Sequence, residues 1–169
     1  MCHWLVLAVR VAHAVACQAV TAFGWDALIE HEQALTVRLR DGLAEIPGAR
    51  QLALWDAHHP RNGVVSFSVA GLDQQLVATA LAAEHGIGIR DGAFCAHQAV
   101  RSMLDNIDRG EFDRALRASI GLGTTVEHVD RLVSGLHDIV ARGPQWTYVR
   151  AGDVWRAAPA PRPVPNFLD

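Results

Sequence analysis

The run TTVEHVDRLVSGLHDIVARGP, residues 124–144, constrains the fold more than any other stretch. Val126, Val129, Leu132, Val133, Leu136, Ile139 and Val140 recur at helical spacing and form one continuous apolar stripe. Thr124 and Glu127 stand three residues apart in the pattern of a capping box, and Gly143-Pro144 ends the segment. A stripe this wide cannot stay in water, so the helix must lie on another layer.

The rest of the chain supplies that layer. Trp25, Leu28, Ile29, Leu35, Leu39, Leu43 and Ile46 predict a helix that stops at Pro47-Gly48. Gln51–Trp55 and Val64–Val69 read as two strands, with His59-Pro60-Arg61-Asn62-Gly63 in the turn between them. A helix over Asp73–His85 follows, then a strand over Ile87–Arg90, a short helix over Ala96–Leu104 and a strand over Ala115–Ile120. WTYVRAGDVWRA reads as a hairpin around Ala151-Gly152-Asp153, and AAPAPRPVP is too proline-rich for a helix or a central strand. This order predicts an α/β domain: a small mixed sheet covered by helices, with a C-terminal hairpin extension. Three segments are expected: an N-terminal helix over 1–24, a core domain over 25–142, and a hairpin with tail over 143–169.

Composition removes several functions. The net charge is −3 with the arginines scattered among acids, so there is no basic stripe for nucleic acid. Cys2, Cys17 and Cys95 are odd in number and form no CxxC pair, which fits a reducing cytoplasm and argues against a disulfide framework. The segment MCHWLVLAVRVAHAVACQAV lacks a cation before its apolar run, unlike a secretory signal. As a membrane span it would bury Arg10, at about 2.5–3.5 kcal/mol. It is therefore expected to be a buried or half-buried helix and no membrane anchor. All 15 basic residues are arginine, so no chemistry that needs a lysine amine can be run by this chain alone.

Two residues stand out chemically. Cys95, in RDGAFCAHQ, follows a strand and a glycine turn and precedes a helix. A thiolate there is stabilised by free backbone N–H groups, while the plainer reading places Phe94-Cys95-Ala96 in the core. Arg117 sits on an apolar strand and needs an anion: either a structural acid partner or a ligand carboxylate suited to its fork. His58-His59 and the Cys95/His97 pair do not give three converging metal ligands. Trp146, Tyr148 and Trp155 are expected to pack the hairpin onto the domain. GIGIRDG and GLG at 121–123 lack the spacing of a phosphate-binding glycine motif.

Taken together and in order, GWDALIEHEQALTVRLRDGL, GIGIRDGAFCAH and LRASIGLGTTVEHVDRLVSGL resemble the C-terminal third of the class V aminotransferases, which include the cysteine desulfurases. The resemblance spans roughly Ala8 to Val140, and WTYVRAGDVW is similar to an extension of some members. It implies the small domain of a fold-type I pyridoxal phosphate (PLP) enzyme, packed in complete members against a larger cofactor-bearing domain, commonly in a homodimer with an amino-acid substrate. Cys95 matches the loop cysteine that accepts sulfur in the desulfurases, and Arg90 and Gly92 match that loop's arginine and glycine. Arg117 matches the arginine that holds the substrate carboxylate. The loop departs from the desulfurase pattern at Ala93 and Phe94, where histidines are common. The Schiff-base lysine and most phosphate contacts lie upstream of the resembling segment. MCHWLVL matches nothing in the family, so a truncated or mis-started reading frame is expected, and the chain alone is expected to be catalytically silent. Two alternatives remain open: an assembly module pairing with a separately encoded PLP domain, or a thiol carrier using Cys95.

Overall fold

A computed structural model describes residues 2–56, 59–105 and 114–159, with side chains from residue 8 onward. His58 and the proline-rich segment from residue 160 lie outside the described residues. In chain order the elements are α1 (Cys2–Phe23), α2 (Trp25–Ala44), β1 (Ala49–Leu52), β2 (Val64–Val69), α3 (Gln74–His85) and β3 (Arg90–Gly92). They continue with α4 (His97–Asp105), β4 (Ala115–Ser119), α5 (Val126–Arg142), β5 (Tyr148–Ala151) and β6 (Val154–Ala157).

Strands β1–β4 form one sheet in the order β1-β2-β4-β3. Every neighbouring pair is antiparallel, which corrects the expectation of a mixed sheet. The cause is topological. The α3 crossover makes β2 and β3 run parallel, but β4 inserts between them and opposes both.

Alternation in VVSFSV divides the two faces of this sheet. Val65, Phe67 and Val69 point to one side, with Leu116 and Ala118 of β4. There they meet Leu35, Leu39 and Leu43 of α2, Leu81 of α3, and Leu132, Leu136 and Ile139 of α5. On the other side a smaller cluster joins Val100 and Leu104 of α4 to Ala115 and Leu52. Since α4 covers only part of that second face, Val64 remains exposed and Ser66 half-buried there.

Helix ends follow their caps. Asp73 accepts from the amides of Gln75 and Leu76 at the start of α3, and Gly86 closes that helix with a left-handed φ of 68°. The capping box of α5 is formed by Thr125 and His128, one residue later than the spacing of Thr124 and Glu127 suggests. Thr124 is otherwise engaged, because its hydroxyl accepts from the Gly121 amide and closes the preceding turn. Glu127 instead has its carboxyl held below the usual carboxylate range, chiefly by a hydrogen bond with the Thr125 side chain.

Two further expectations are tested by packing. Apart from the half-buried Val20, the described side chains of α1 are exposed, with Val9 61%, Val11 55% and Val15 56% accessible, so the buried reading of this helix is corrected. Its exposed valines find no facing layer among the described residues, because the stripe of α5 is already satisfied by α2, α3 and the sheet. The hairpin β5–β6 docks on α3 as its aromatic residues suggest. Trp155 Nε1 donates to Asp73 at 2.8 Å, and Tyr148 Oη donates to Glu84 at 2.8 Å. Glu84 also accepts from the amides of Gln145 and Trp146. Burial first, and then the bond to Glu84, push the Tyr148 phenol well above its ordinary range.

Candidate functional site

The open part of the second sheet face carries the candidate site. Strand register places Arg90 of β3 opposite Arg117 of β4, and Ser66 of β2 opposite Arg117 on its other side. Residues paired this way share one face, so two guanidinium-bearing residues and a hydroxyl lie in one row across three strands. Arg90 is exposed and Arg117 half-buried.

Arg117 has no ion pair among the described residues, so the structural-partner alternative finds no support there. Its Nε is shut off from solvent and has no hydrogen-bond partner. An orphaned buried donor costs about 1–3 kcal/mol, more when charged. What it has is aromatic: its Cζ lies 5.2 Å from the centre of the Phe94 ring. Arg61 also has a buried, unpaired Nε, but its Nη2 donates to the carbonyls of Trp55 and Asp56 and so ties down the β1–β2 loop.

The loop from β3 into α4 sets the thiol. Phe94 and Cys95 both take positive φ, 53° and 60°, a region that costs a non-glycine residue about 1–3 kcal/mol. The turn is closed by the Ala96 amide donating to the Ala93 carbonyl, and α4 begins as Val100 donates to Ala96. These two residues turn opposite ways. Phe94 packs inward on the cluster of Val100, Leu104 and Ala115, whereas Cys95 is exposed. The core reading of this tripeptide therefore holds for Phe94 alone, since Ala96 is exposed as well. Cys95 precedes α4 as the sequence suggests, and it is not hydrogen-bonded to His97.

Sequence reasoning found Cys95, Arg90 and Arg117 but missed Phe94 and Ser66. The polar phase of VVSFSV marks Ser66 as facing away from the core. Nothing local to Phe94 announces its contact with a residue 23 positions later. Among the described residues no three His, Cys, Asp or Glu side chains group as metal ligands, and no helix is long and apolar enough to cross a membrane.

An antiparallel sheet packed by α2, α3 and α5 on one face, with α4 and a pair of arginines on the other, defines a two-layered α/β unit. Comparison with known proteins makes the class specific: residues 7–132 match the aminotransferase class-V family, and the chain belongs to that family. It is 34% identical over 120 residues to an aminotransferase-like protein of Gibberella zeae, covering 69% of this chain and 28% of that protein. It is 33% identical over 120 residues to a cysteine desulfurase of Dickeya dadantii, covering 71% of this chain and 26% of that one. Among solved structures, the apo cysteine desulfurase of Thermococcus onnurineus NA1 superposes with a TM-score of 0.59 at 26% identity, over 73% of this chain and 28% of that one. The cysteine desulfurase CsdA of Escherichia coli gives 0.53 at 27% identity, over 65% and 24%. The architecture is thus that of the fold-type I relatives. The chain spans about a quarter of the length of the curated relatives it matches.

Proposed function

We propose that this chain is the small domain of a class V PLP-dependent enzyme, contributing a carboxylate-binding arginine pair and a loop thiol to a site completed by a PLP-bearing domain outside this sequence. The observation that carries the reading is the cross-strand pair Arg90–Arg117, with a buried Nε that no acid among the described residues satisfies. Such a row suits a carboxylate, which the fork of Arg117 can grip in two places. The residues present do not fit the cofactor itself, because PLP enzymes hold it through a lysine and this sequence contains none. No step is therefore assigned to PLP on this chain, and the chain alone is read as catalytically silent.

The proposed division of labour keeps 25–142 as the substrate-facing core, the hairpin within 143–169 as a buttress on α3, and 1–24 as an interdomain helix. The exposed Val9, Val11 and Val15 of α1, with Phe23 and Trp25, favour an assembly surface for the larger domain. Cys95, exposed on the loop that follows β3, is read as the thiol that meets a substrate held there, in a reducing cytoplasm. A dimer of complete enzymes belongs to the same reading.

Arginine footprinting tests it. Acetate should slow phenylglyoxal modification of Arg117 and Arg90, read by mass spectrometry, with the other 13 of the 15 arginines as internal controls. Uniform modification with and without acetate overturns the carboxylate site. Amino-group transfer or sulfur release by the chain with PLP alone overturns the silent-domain reading.

A further inference from the structure

We infer that Phe94 is a specificity-determining residue that makes the Arg117 site select carboxylates with an apolar flank. The inference rests on the reading of Arg117 as a carboxylate site and adds what that site accepts.

Three observations combine. The Arg117 Cζ lies over the Phe94 ring, 5.2 Å from its centre, so the ring flanks the guanidinium. The Nε edge is buried without a partner, which leaves the terminal Nη groups as the accessible donors. The ring is itself fixed, by packing on Val100 and Leu104 of α4 and Ala115 of β4, in a loop whose two successive positive φ angles turn Phe94 in and Cys95 out. A carboxylate that reaches the Nη edge therefore carries its adjoining carbons past an aromatic wall.

The wall is apolar: the side chains of Ala93 and Phe94 offer no donor, acceptor or titratable group. Ser66 and Arg90 supply the polar side of the same row. A ligand that is only an anion gains from the arginines alone. A monocarboxylate with methylenes behind it gains from the ring as well, and each methylene buried there is worth about fourfold in affinity.

The experiment is an NMR titration of the full chain, following the Arg117 Nε–H resonance with formate and with butyrate. Butyrate should bind at least about fourfold more tightly than formate, the increment of one buried methylene. Phe94→Ala should bring the two affinities together, and retained dispersion of its amide resonances shows that the variant is folded. Phe94→Leu, which keeps an apolar group on Val100 and Leu104, should retain part of the preference. An unchanged preference in both variants overturns the role of Phe94. Shifts with both acids at equal affinity in the wild type overturn the selectivity alone. No shift with either acid overturns the carboxylate site beneath it.

Discussion

Arg90 and Arg117 face each other across adjacent antiparallel strands, and neither forms an ion pair with a described residue. Like charges in directly opposed positions oppose sheet formation, by about 0.2–1 kcal/mol relative to a neutral pair. The fold thus accepts a small penalty where the ligand is proposed to bind. Arg90→Gln should raise the unfolding free energy, read from urea denaturation, by an amount within that range. Acetate should stabilise the wild type more than the variant, since only the wild type regains attraction at both arginines. A variant less stable than the wild type in the absence of anions would show that Arg90 is structural.

The hairpin offers a spectroscopic test, because Tyr148 is the only tyrosine in the chain. Its phenol is raised by burial first and by its bond to Glu84 second. A phenol raised in the folded state favours folding below its unfolded value of about 10, and that contribution disappears as pH rises through the folded value. The ultraviolet phenolate signal should therefore appear at clearly higher pH in the folded chain than in urea. Glu84→Gln should move it back toward the unfolded value while weakening the acceptor for the Gln145 and Trp146 amides. Coincident titrations in folded and unfolded protein would mean that the hairpin is undocked in solution.

An acid-side prediction concerns α2 and α5. Arg38 Nε donates to Asp130 at 2.6 Å and Nη2 donates to the same carboxylate at 2.8 Å. That bond holds the Asp130 carboxyl below its usual range. A carboxyl lowered in the folded state stabilises above its unfolded value of about 3.9, and the benefit is lost as pH falls through the lowered value. The stability difference between wild type and Asp130→Asn should be present at neutral pH, shrink with salt because both groups are exposed, and vanish in acid. A difference that grows on acidification would contradict the assignment.

How much of this was legible in the sequence depends on the range of the interaction. Elements defined by periodicity lie close to where their patterns put them: α5 at Val126–Arg142 and β2 at Val64–Val69. The strand expected over Ile87–Arg90 begins only at Arg90, because β4 offers partners to Arg90, Asp91 and Gly92 and to none of the residues before them. Likewise the strand over Gln51–Trp55 shifts to Ala49–Leu52, whose partners are the last residues of β2. Site residues were visible as types: a thiol before a helix, an arginine on an apolar strand. Their juxtaposition was not, since the Arg90–Arg117 register comes from strand pairing across a 27-residue separation and leaves no local signature. The exposure of α1 was misjudged for a related reason. Apolar composition reports that a helix wants a partner, without saying whether this chain supplies it.

The approach of α2 to α5 gives the last prediction, in which two effects of opposite sign compete. Gly42 sits inside α2, where replacing glycine with alanine normally gains about 1 kcal/mol of helix propensity. A Cβ at position 42, however, would lie 2.6 Å from Cγ2 and 3.0 Å from Cγ1 of Val133 on α5. Valine is stiff at χ1, so it cannot swing both methyls away, and overpacking of this kind costs about 1–3 kcal/mol. The clash should win, and Gly42→Ala should lower the urea midpoint despite its better propensity. Val133→Ala removes both offending methyls, so the double variant should be more stable than the sum of the two single changes, a coupling measurable by a double-mutant cycle. Additive changes would mean that α2 and α5 can separate at this point without loss, and that the close packing at Gly42 does not hold the helical layer together.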